Sequence, residues 1–116
     1  MNLKYHKDMT VDKWKGFPFF KQILMVGTEL NRAGKWIKAE DFEETKRCYE
    51  RALELLCLTV ETLEDKRKLN ELLRFKEMLC MLYSKEKYDF SENNRLQNTL
   101  LLLDKESYNL LHRSPQ

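Results

Sequence analysis

The sequence predicts an all-α fold: an antiparallel up-down-up-down four-helix bundle preceded by an irregular N-terminal arm. Three observations carry this. Apolar residues recur at alternating steps of three and four in successive segments, the spacing of one face of an α-helix. Glycine and proline are scarce, three and two in 116 residues, which suits long helices rather than many-turned sheets. The joints between segments are short and carry Asp or Ser where a helix needs a cap. A chain of this length is expected to be one domain with its own core.

Residues 1–17 show no sustained period and read as an arm in which lysines alternate with Tyr5, His6, Trp14 and Phe17. Gly16 and Pro18 end it, and Pro18 suits the first turn of a helix. The bundle domain then spans 18–112, and residues 113–116 form a frayed tail. In the first bundle helix Phe19, Ile23, Val26, Leu30, Ala33 and Ile37 form the stripe, with Lys21, Glu29, Arg32, Lys35 and Lys38 off it. Asp41 is placed to cap the second, with Glu43 and Glu44 favoured in its first turn by the helix dipole. Its stripe runs Phe42, Thr45, Tyr49, Ala52, Leu56, Val60, Leu63. Asp65 is the expected cap of the third helix, residues 66–84, with Leu72, Phe75, Leu79 and Leu82 as its seam. A polar turn over 85–90 leads to Ser91 as cap of the fourth, with Leu96, Leu100, Leu103, Ser107 and Leu110 inward. The short joints make neighbouring helices antiparallel.

The net charge of +2 hides an asymmetry: residues 1–38 carry eight Lys/Arg against three Asp/Glu, and 39–116 carry thirteen against sixteen. Cys48, Cys57 and Cys80 form an odd, widely spaced set without a CxxC, so they read as reduced thiols in a cytoplasmic protein. The first residues lack the apolar run of a signal peptide, and no segment approaches the ~20 apolar residues of a membrane span.

Residues 23–63 carry Asn31-Arg32-Ala33, then Asp41-Phe42-Glu43-Glu44, then Arg51-Ala52 before a leucine-rich end. This resembles the central hairpin of the flagellin export chaperone family of small helical bundles. The GFPFF entry to the first helix differs from that family's Thr/Ser-Pro-rich lead. The resemblance implies a cytosolic chaperone that holds the helices of an export substrate against its surface. Residues 36–55, with Asp41, Phe42, Ala52, Leu53 and Glu54, also resemble a single tetratricopeptide-repeat hairpin. The helix runs on past that repeat's usual end, and no second copy follows about 34 residues later.

No catalytic constellation can be assembled. A di-iron bundle needs two Glu-x-x-His motifs, and neither His6 nor His112 follows a Glu at that spacing. The acidic cluster Glu40, Asp41, Glu43, Glu44 is explained by capping. HEPN-type ribonucleases place an Arg before the His, whereas Arg113 follows His112. Gly27 and Gly34 are isolated, so they form no phosphate loop and read as close helix contacts. No cofactor, metal, small-molecule substrate or membrane partner is expected.

Two surfaces remain. MLCMLY at 78–83 and LLLL at 100–103 exceed what one buried stripe needs. A helix apolar all round is covered on more than one side. Met78, Met81, Leu82, Leu101 and Leu102 are therefore the expected contact for a helical partner or a second copy of the chain. The expected function is a non-enzymatic protein–protein interaction module, adaptor- or chaperone-like. The alternative is a nucleic-acid-associated accessory bundle using Lys4, Lys7, Lys13, Trp14, Lys15 and Lys21, with lysines on phosphates and the indole stacked on a base.

Overall fold

The computed structural model describes residues 3–104, and they are all-α. The helices are α1 (Val11–Lys15), α2 (Phe19–Lys38), α3 (Phe42–Thr62), α4 (Lys66–Tyr83) and α5 (Phe90–Leu102). Ser107, Leu110 and His112, and the tail, lie outside the described residues. α2 packs on α3 and α5, α4 on α3 and α5, and α1 on α3. These contacts join the four long helices in a closed ring, with α1 packed on α3.

The helix ends follow local chemistry. Asp41 Oδ1 accepts from the Glu44 N–H at 3.1 Å, and Asp65 Oδ1 from Arg67 and Lys68 at 2.9 and 3.1 Å. Between α2 and α3 the chain reverses at Glu40, whose φ of 59° lies in the left-handed region. The Asp41 N–H donates to the Trp36 carbonyl across this turn at 2.9 Å.

The four stripes meet inside. Ile23, Val26, Leu30, Ala33 and Ile37 of α2 are buried against Tyr49, Ala52 and Leu56 of α3, with Leu72, Phe75 and Leu79 of α4 and Leu96 and Leu100 of α5. Leu55 and Leu58 of α3 are buried too, because α3 is in contact with α1, α2 and α4.

Three features depart from the sequence expectation. The arm is not irregular throughout: Thr10 accepts from the Lys13 N–H at 3.1 Å and starts the one-turn α1. The last helix begins at Phe90, not after Ser91, with Asp89 at the cap position in extended backbone. The segment before it is not merely a polar turn. Tyr88 is buried edge-on to Phe42 and Tyr49, and its hydroxyl donates to the Tyr83 carbonyl at 2.8 Å.

Two polar links lie within the ring. Asn93 of α5 is fully buried; its Nδ2 donates to the Leu30 carbonyl at 2.9 Å and its Oδ1 accepts from Tyr49 at 2.7 Å. Gly34 makes room for it, since a Cβ there would lie 3.1 Å from Asn93 Nδ2 and 3.2 Å from the Phe90 ring. Between α2 and α3, the buried Glu29 carboxylate accepts from Arg51 Nε at 3.1 Å and from Arg32 at 3.0 Å. A buried carboxylate left unpaired would be costly, and these two guanidinium groups offset its desolvation.

Candidate functional site

The α4–α5 seam opens outward into an apolar groove. Met78, Met81 and Leu82 of α4 line one wall, and Leu96, Arg95 and Thr99 of α5 the other. Residues 78, 81, 82 and 85 recur at helical spacing, so one face of α4 presents them together. The ion pair of Lys85 with Glu92, at 2.8 Å, spans one end. Leu96 is buried at the base, and Leu82 is half-buried beside it. The upper wall stands in water: Met78 is 40% and Met81 69% exposed. Leu102, one turn beyond Thr99 on the same face, is 66% exposed.

Leu101 corrects the expectation. It is buried on the opposite side of α5, where a Cβ on Gly27 would meet it at 3.9 Å. Successive helical residues are turned about 100° apart, so Leu100 and Leu101 face α2 while Leu102 points away from it. Of the residues expected at a contact, Met78, Met81 and Leu102 are thus exposed and Leu82 half-buried, and Lys85, Glu92, Arg95, Leu96 and Thr99 line the groove with Met78, Met81 and Leu82. Polar residues at helical spacing carried no signal of their own in the sequence.

The arm residues fall into two groups. Lys4, Lys7, Lys13, Lys15 and Lys21 are exposed. Trp14 is fully buried against α3 and corrects the expectation that it could stack on a base. Its indole N–H donates to Thr59 Oγ1 at 2.9 Å, and its carbonyl accepts from Gln22 at 2.9 Å. Burying a large indole whose N–H finds a partner is more favourable than leaving it in water. Lys4 and Lys13 are partly engaged, Lys4 Nζ 5.3 Å from the Tyr5 ring and Lys13 Nζ donating to the Asp8 carbonyl at 3.1 Å.

The start of the arm is clasped by two glutamates of α3. The Glu54 carboxylate accepts from three successive backbone N–H groups, Lys4, Tyr5 and His6, at 3.0, 2.9 and 3.2 Å. His6 Nδ1 lies 3.2 Å from the same carboxylate. One turn earlier, Glu50 accepts from the Tyr5 hydroxyl and, at 2.6 Å, from the Tyr83 hydroxyl of α4. The tyrosine hydrogen bonds hold the Glu50 carboxyl below the usual carboxylate range. For Glu54, burial pushes upward, and the backbone N–H bonds from the arm outweigh it, so its pKa is also lowered. Donating to Glu50 costs Tyr83 its ionised form: that hydrogen bond, then burial, pushes its hydroxyl up to about 12. The clasp had a sequence signal that went unread. Glu50 and Glu54 are like charges at i, i+4, an arrangement that costs an isolated helix stability and so asks for partners.

Burial pushes the Cys48 thiol up, and although Arg51 Nη2 lies 3.4 Å from its sulfur, the net shift favours the neutral thiol. Among the described residues, no three His, Cys, Asp or Glu side chains are grouped to hold a metal ion, and no helix is long and apolar enough to cross a membrane. No protein-family model, curated protein or solved structure matches the chain.

Proposed function

We propose that the chain is a non-enzymatic helical interaction module, adaptor- or chaperone-like, that binds a helical partner or a second copy of itself through α4 and α5. The ring of α2 to α5, joined by short turns, supports an antiparallel up-down-up-down four-helix bundle as the scaffold. One observation carries the reading: the α4–α5 groove is walled by Met78 and Met81, 40% and 69% exposed, and Leu102, one turn beyond its Thr99 end, is 66% exposed. A contiguous apolar strip rimmed by charge marks an interaction surface. Methionine suits it, because its flexible thioether side chain adapts to different partner shapes. Three free cysteines, one of them exposed, support a reducing, cytoplasmic setting.

The four exposed lysines of the arm, with Lys21 at the start of α2, favour a second reading, a phosphate contact with nucleic acid, made without Trp14. Salt separates the two. Phosphate contacts weaken steeply as salt rises, and apolar helix docking does not. A tagged chain recovered from its own cells at low and high salt, with protein and nucleic acid both assayed, tests them. The adaptor reading expects a protein, or the untagged chain itself, retained at high salt and lost in Met81→Glu and Leu102→Glu. Nucleic acid recovered only at low salt, and indifferent to those two substitutions, would replace it with the second reading.

A further inference from the structure

The clasp holds residues 3–6 in a way that does not depend on their being part of this chain. Glu54 grips main-chain N–H groups, which every residue but proline offers. Glu50 and Tyr83 select a tyrosine by its hydroxyl. Leu3, Leu53 and Cys57 line a cleft of about 360 Å³ that remains open beside the arm. The seat is thus built for an extended segment of the pattern apolar-x-Tyr-x, with the last three residues presenting free N–H groups.

We propose that the α3–α4 face around Glu50, Glu54 and Tyr83 is a binding site for apolar-x-Tyr peptide segments of a partner protein, and that the arm is its tethered competitor. The occupant's chemistry is read from the segment already seated. Leu3 packs against the core at the edge of the cleft, Tyr5 reaches Glu50, and three amides converge on Glu54. The tether is firm, since Trp14 anchors α1 in the core a few residues downstream. A short tether gives the arm an effective concentration in the millimolar range. A free segment therefore competes poorly until the arm is loosened. The site lies apart from the Met78–Met81 groove and does not rest on the reading given to it.

The test uses the full chain and a fluorescent peptide of residues 3–9, followed by anisotropy. Tyr5→Pro in the chain removes both the central N–H donor and the hydroxyl. Leu3→Ser is the second loosened variant. The loosened chains are expected to bind the peptide about tenfold or more tightly than the parent, the worth of one hydrogen bond to a charged group. N-methylating the peptide at its tyrosine nitrogen, or adding Glu54→Gln to the loosened chain, is expected to abolish that binding. Equal binding by the parent and both loosened chains, or binding indifferent to the N-methyl group, overturns the proposal.

Discussion

Replacing Asn93 by alanine should be among the most damaging changes outside the apolar core. In the folded chain Asn93 donates to the Leu30 carbonyl at 2.9 Å and accepts from Tyr49 at 2.7 Å, with no exposure to water. Alanine removes both bonds and strands the Tyr49 hydroxyl, which burial already holds in its neutral form. A buried donor without a partner costs about 1–3 kcal/mol, and each net hydrogen bond about 0.5–1.5 kcal/mol. The stranded Tyr49 donor and the lost bond to Leu30 together make a loss of about 1.5–4.5 kcal/mol, a large part of the ~5–15 kcal/mol stability of a domain this size. Chemical denaturation gives the loss directly, with the midpoint falling and the slope unchanged. Tyr49→Phe alone should cost less, because Asn93 keeps its bond to Leu30. In the double variant the two losses should fall short of additive, since no hydroxyl is then stranded. A loss below about 0.5 kcal/mol for Asn93→Ala, the range of ordinary surface substitutions, would refute the buried network and the α2–α5 approach at Gly34 that permits it.

The other expectations are compact. Gly27→Ala should stabilise the chain by up to about 1 kcal/mol through helix propensity, because its Cβ would meet Leu100 and Leu101 at an ordinary 3.8 and 3.9 Å. Gly34→Ala should gain less or destabilise, since Asn93 and Phe90 must give way; thermal melts of the pair check the ordering. Trp14→Ala should cost about 3–5 kcal/mol as a buried aromatic, measured by denaturant unfolding, whereas a solvated arm would register almost nothing. Glu50 and Glu54 both have lowered pKa values in the fold. Their contribution is therefore complete above the unfolded carboxylate value of 4.5 and is lost as pH falls through the lower folded values. Amide exchange at residues 4–6 should accelerate in that acid window before the core opens, and Glu54→Gln should show fast exchange already at neutral pH. Tyr83 behaves oppositely. Its pKa is raised, so its contribution holds below 10 and is lost as pH rises toward about 12.

The long helices were legible because each repeats one apolar stripe over several turns, and two of them begin at a capping carboxylate, Asp41 and Asp65. α1 was not, because five residues make no full second turn and its apolar residues, Val11 and Trp14, are too few to show a period. Tyr88 was hidden among charged neighbours, and only the fold shows Phe42 and Tyr49 waiting for it. The surplus of apolar residues at 78–83 and 100–103 was visible as a count. Which of them faces water was not, because that depends on how α5 is rotated against α2. The rotation buries Leu101 and exposes Leu102, one residue apart. The clasp needed the tertiary structure, since the residues it joins lie 33 to 50 positions apart.

The account's central claim is that the Met78–Met81 face is covered in the working assembly. A photo-crosslinking amino acid placed at Met81 in the full chain, irradiated in its own cells, tests it most directly, with Lys46 on an exposed part of α3 as the comparison position. The account predicts a discrete protein adduct from position 81, either the chain itself or one partner, that disappears when Leu102→Glu is added and is absent from position 46. No adduct at 81, or the same diffuse pattern from both positions, would contradict it.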